Sequence, residues 1–155
     1  MIQKINYIDA YEYISTLKDL VKKGKSVNFT ISGNSMSPFL IHERDSVVLS
    51  PIEQELKEGD IVFYERNNNA FVLHRIVKIQ DDGYYMLGDA QKYKYIEGPI
   101  FPNQIFAVVT KAYRGGITLK PGDKWWNFFA TIWAKHIRLR WFYRGIYILT
   151  HSGLF

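Results

Sequence analysis

The chain has 155 residues, 47% hydrophobic and 23% charged, which suits one domain with a sizeable core and is short for two. It has no cysteine, so disulfides and thiolate metal sites are excluded; no metal or cofactor is expected, and a diffuse net charge of +5 gives no argument for nucleic acid. No run reaches the ~18–20 apolar residues that span a bilayer, and residues 1–13 carry Lys4, Asp9 and Glu12 where a secretory signal has an unbroken apolar core.

The first predicted element is a helix capped by Asp9 and running to about Lys23. Tyr11, Ile14, Leu17, Leu20 and Val21 form one stripe, and Gly24 reads as the stop. From Ser26 to about Leu119 the pattern changes to short runs rich in β-branched and aromatic residues, at 27–31, 46–49, 60–64, 71–79, 84–87, 105–113 and 117–119. Asn67, Asn68 and Asn69, and then Asp81, Asp82 and Gly83, read as hairpin loops. There is no βαβ alternation, so the expectation is a mainly β fold built on a partly closed antiparallel sheet.

Three pieces are therefore expected: a packed N-terminal helix (1–25), a β-rich domain (26–120) and an aromatic, basic C-terminal segment (121–155). All four tryptophans fall between Trp125 and Trp141. At helical spacing Trp125, Phe128, Phe129, Ile132 and Trp133 share a face. Two readings stay open for this segment. It packs as a helix across one end of the sheet, or it lies in a membrane interface between Trp125 and Arg144, with Lys135, Arg138, Arg140 and Arg144 on anionic lipid. The expected location is cytoplasmic or peripheral to a membrane, on a side the sequence does not fix.

The stretch Ser32-Gly33-Asn34-Ser35-Met36-Ser37-Pro38 turns sharply after a strand. Gly33 reaches φ > 0 without a Cβ clash, so Ser35 sits just beyond a tight turn, where a hydroxyl can project into a cleft. Pro38 fixes its own φ and pushes Ser37 towards an extended conformation. A serine hydroxyl is a poor nucleophile until a base takes its proton. His74 lies in the strand 71–79, where alternation puts Val72, His74, Ile76 and Lys78 on one face and Leu73, Arg75, Val77 and Ile79 on the other. Lys78 is the reserve base. Asp89, at the end of the next strand, could accept the imidazole N–H and hold its tautomer. Each has a plainer reading: a polar turn, a strand histidine and a Gly-Asp turn.

Taken in order, these residues resemble the boxes of a peptidase superfamily. Gly33-Asn34-Ser35-Met36-Ser37-Pro38 resembles the nucleophile box of type I signal peptidases and of LexA-type self-cleavage peptidases. Gly59-Asp60-Ile61-Val62 resembles the box that follows it, His74-Arg75-Ile76-Val77 the box that carries the general base, and Gly88-Asp89 the last Gly-Asp. The resemblance implies a signal-peptidase/LexA-like fold and a serine endopeptidase with Ser35 as nucleophile, His74 as general base and Asp89 beside it. It also implies the Ser35 backbone N–H as oxyanion donor and a signal or leader peptide as substrate. Histidine at position 74, where most bacterial members have lysine, is closest to the endoplasmic-reticulum and archaeal-type Ser-His branch. The usual N-terminal membrane anchor is missing, Ala90 replaces an asparagine, and Gly33 stands where a side-chain oxyanion donor would be. The alternative on the same fold is a non-catalytic peptide-binding or regulatory module; a self-cleaving regulatory domain is the weaker third.

Overall fold

The computed structural model describes residues 7–150. Helix α1 (Tyr7–Lys22) buries Leu17 and Val21, with Ile14 beside them, against the sheet. It stops where expected. Gly24, at φ +84°, donates its N–H to the Val21 carbonyl, and Lys25 donates to Leu20, so two orphan carbonyls of the last turn are satisfied. Asp9, the expected cap, lies inside the helix.

Eight strands follow: β1 (Val27–Thr30), β2 (Ser46–Ser50), β3 (Ile61–Glu65), β4 (Phe71–Gln80), β5 (Gly83–Leu87), β6 (Glu97–Ile100), β7 (Ile105–Arg114) and β8 (Ile117–Leu119). They pair antiparallel in the order β1-β2-β7-β3-β4-β5-β6, with β8 on β7, and the sheet is not closed. Both expected hairpins form. β6 is the strand the sequence does not announce. Gly98-Pro99 reads as a turn, yet β6 is the end strand of the sheet, where a missing N–H is tolerated.

Alternation divides the apolar residues between two faces. Phe29, Val47, Leu49, Ile61, Phe63 and Phe106 form the larger core with α1, and Val62, Tyr64, Ile76, Met86, Ile100 and Ile105 form the smaller one. The first part of the C-terminal segment completes the larger core. Helix α2 (Lys124–Phe128) runs into a π-helical turn (Phe129–Trp133), and Trp126, Phe129 and Trp133 are buried against Phe39 and Leu40. Trp126 lies within about 60° of Phe129 and Trp133 at 100° per residue and goes in with them, while Ile132, at the edge of that stripe, is exposed. A 3₁₀ turn (Ile137–Leu139) leads into α3 (Arg140–Thr150).

Candidate active site

The loop between β1 and β2 is built from short-range contacts. Gly33, at φ +91°, makes the turn, and its N–H is taken by His42 Nδ1 at 2.9 Å. Ser37 N–H donates to the Asn34 carbonyl, and Leu40 N–H to Met36. Met36 and Phe39 are buried in the larger core and anchor the loop from below. The Pro38 carbonyl accepts from Arg114 Nη2 at 3.1 Å. Behind them, the fully buried Asp45 carboxylate accepts the N–H groups of Ile41 and Gly115 and pairs with Arg44. Asp45 and His42 hold the loop, and neither was legible as a site residue.

Ser35 is half-buried at the top of this loop. Its carbonyl accepts the Ala90 N–H at 2.8 Å, and among the described residues its own N–H donates to no protein acceptor. Gly88 explains its position. A Cβ on Gly88 would lie 3.0 Å from the Ser35 Cβ and 2.5 Å from the Ser35 carbonyl oxygen, so only glycine lets the loop approach this closely. Arg75 pairs with Leu87 between β4 and β5. Continuing that register by one residue sets Gly88 opposite His74, on the same face of the sheet. The loop therefore sets Ser35 against the end of β5, beside the strand that carries His74, and no hydrogen bond joins the two.

His74 is buried, and its Nδ1 lies 3.3 Å from the Tyr64 hydroxyl and 3.5 Å from Glu97 Oε1. The Tyr64 hydroxyl donates to Glu97, which Arg66 also holds through two N–H groups. With its hydrogen committed there, the Tyr64 oxygen accepts from the imidazole. That places the ring hydrogen on Nδ1 and leaves Nε2 free. Burial, reinforced by the Glu97 carboxylate, pushes the Tyr64 phenol far above its ordinary range, so it stays a donor. Burial alone would raise the Glu97 carboxyl, but hydrogen bonds from His74, Arg66 and Tyr64 outweigh it and hold it down to about 2.

Asp89 does something other than expected. Its two oxygens take Arg75 Nε and Nη2 at 2.8 and 2.6 Å, with both side chains buried, and Arg75 Nη1 reaches the Gly59 carbonyl at 2.8 Å. Arg75 and Asp89 lie on the face opposite His74, so Asp89 does not hold the imidazole. It ties the Gly59, Arg75 and Gly88 segments together. Trp133 Nε1 donates to the Asp89 carbonyl, and Arg140 Nη1 to that of Gly88, at 3.1 and 2.9 Å. Burial pulls the Arg140 guanidinium down to about 10, while the Asp89 charge works the other way.

The remaining expected residues are structural or distant. Gly59, at φ +99°, has no room for a side chain, since a Cβ would sit 2.1 Å from the Ala130 carbonyl oxygen. Asp60 accepts the Lys57 N–H, and burial raises its carboxyl against that bond. Lys78 follows a bulge at Val77 that breaks the alternation, so it is exposed, with its ammonium 5.9 Å from the Tyr85 ring. It is four residues along β4 from His74 and is not brought to the serine.

In front of Ser35 lies a cleft of about 130 Å³ between Phe29 and Ile31 on one side and Phe71, Val72 and Leu73 on the other. β5 pairs with β4 only from Arg75 onward, so residues 71–74 present an unpaired strand edge. No curated protein matches the chain. A family model described as Peptidase S24-like matches residues 2–112, taking in α1, the Ser35 loop, both Gly-Asp turns and β4. A fold of serine-peptidase and LexA-like type thus stands on more than half of the sequence, and the chain belongs to the Peptidase S24-like family.

Proposed function

We propose that the protein is a serine endopeptidase that removes a signal or leader peptide, with Ser35 as nucleophile and His74 as general base. The observation that carries this is the Gly88 contact, which holds Ser35 at the end of β5, one residue beyond the Arg75–Leu87 pair and so beside the strand of His74. Nε2 of His74 takes the Ser35 proton as Oγ adds to the scissile carbonyl, and the unengaged Ser35 N–H receives the developing oxyanion. The imidazolium then gives its proton to the leaving amine, and water hydrolyses the acyl-enzyme by the same relay. Tyr64 and Glu97, in place of Asp89, orient the ring.

The substrate runs as an added strand along residues 71–74 and places a small side chain in the cleft among Phe29, Ile31, Met36 and Leu73. Histidine as base sets the chain in the Ser-His branch of signal-peptidase-like enzymes. Gly33 supplies no side-chain donor to the oxyanion. Losing one such donor costs about a hundredfold or more in rate, so turnover is slow.

A non-catalytic peptide-binding module is the second reading, favoured by the lack of a Ser35–His74 hydrogen bond. Cleavage of a leader-type peptide by the wild type, Ser35→Ala and His74→Ala separates the two. The proposal expects each substitution to reduce kcat by at least about a thousandfold while peptide binding survives. Binding by the wild type with no turnover would favour the module.

A further inference from the structure

Helix α3 carries its apolar face outward. At 100° per residue Phe142, Ile146 and Leu149 fall within about 60° of one another, and Trp141 flanks them. All four are exposed, Trp141 to 75% and Leu149 to 82%. The opposite side is the one that packs, through Arg140 on Trp133 and Tyr143 on Phe128. Among the described residues of α3 these four and Arg144 are the large exposed side chains, so apolar surface dominates the side turned to water, the reverse of a helix that buries its apolar stripe.

A second element extends this surface. The 3₁₀ turn Tyr93–Tyr95 presents two exposed tyrosines with Lys92 and Lys94 beside them. Arg138 lies 5.0 Å from the centre of the Tyr93 ring, and Lys92, Tyr93, Arg138, Trp141 and Arg144 line one cleft. The charge is one-sided. The exposed Lys120, Lys124, Lys135, Arg138 and Arg144 face a single acid, Asp123, over residues 120–150, and the sixth cation there, Arg140, is buried. The one carboxylate lining the cleft, Asp89, is closed off by Arg75.

We propose that this face docks on an anionic lipid bilayer, with α3 lying in the interface plane. Eleven residues of helix extend about 16 Å, half of a ~30 Å hydrocarbon core, and among the described residues no helix is long and apolar enough to cross a membrane. Tryptophan and tyrosine sit at headgroup depth, Phe142, Ile146 and Leu149 reach the acyl boundary, and the cations meet lipid phosphate. A second copy is the poorer occupant, since a two-fold contact would set the same cations against each other. The segment thus combines both sequence expectations: Trp126, Phe129 and Trp133 pack on the core, and the part beyond Arg138 faces the membrane. The inference does not depend on turnover at Ser35.

Flotation of the full chain with phosphatidylcholine vesicles, with and without phosphatidylglycerol, tests it. Binding is expected to the anionic vesicles only and to weaken with salt. Phe142→Ser with Ile146→Ser, or Arg138→Glu with Arg144→Glu, should lower it about tenfold or more. Equal flotation with neutral vesicles, no flotation with anionic ones, or unchanged binding by both double variants would overturn it. So would a dimer on gel filtration, without vesicle binding, that the serine double variant breaks.

Discussion

At the scale of single residues, the question is which acid governs the imidazole. Glu97 acts through Tyr64, and Tyr64 fixes the hydrogen on Nδ1 of His74. Tyr64→Phe together with Glu97→Ala removes both acceptors near Nδ1, so the ¹⁵N signals of His74 should move towards the Nε2–H tautomer. The same variant should lose roughly ten- to a hundredfold in kcat with little change in KM, in line with other orienting groups. Asp89→Asn should behave differently, leaving the tautomer alone and lowering stability. It breaks a buried pair, for which the usual cost is about 3–5 kcal/mol, measurable by urea unfolding.

Glu97 also makes a prediction in pH. Its folded value of about 2 lies below the ordinary 4.5, so its contribution to stability is complete above 4.5 and is lost as pH falls through about 2. The Tm difference between wild type and Glu97→Gln should therefore shrink across that window.

Among the elements, the tightest fit is between the Gly59 turn and the π-helical turn. Gly59→Ala adds a carbon 2.1 Å from the Ala130 oxygen in a backbone of positive φ. A loss of at least about 2 kcal/mol in unfolding free energy is expected. Most elements were legible, because alternation and turn residues mark hairpins locally. β6 was not, since its Gly98-Pro99 pair carries the signal of a turn and only pairing with β5 makes it a strand. Glu97 was hidden for the same reason. The Arg75–Asp89 pair left a usable trace: Arg75 alternates with His74, while Leu87 and Asp89 share the parity that faces Arg75. The C-terminal face was legible as well: at 100° per residue Trp126, Phe129 and Trp133 fall within about 60° of one another, and the expected stripe through Trp125 and Ile132 was centred to one side of it.

For the whole molecule, the open sheet makes the site. Because β5 stops at Leu87, the loop carrying Ser35 occupies the space beyond its end and the edge of β4 stays free. In Ser35→Ala, hydrogen exchange within residues 71–74 should slow when a leader peptide is added, and unchanged exchange there would place the peptide elsewhere. The Gly59, Arg75 and Gly88 segments were visible in the sequence as separate boxes. That one guanidinium clamps them was not, because the contact spans distant parts of the chain.

The central claim is that Ser35 is an activated nucleophile. Incubating the folded protein with a fluorophosphonate and mapping the adduct by mass spectrometry tests it most directly. The account predicts one covalent adduct on Ser35, lost in Ser35→Ala and strongly slowed in His74→Ala. No adduct on Ser35 in a natively folded sample, or labelling indifferent to His74, would contradict it.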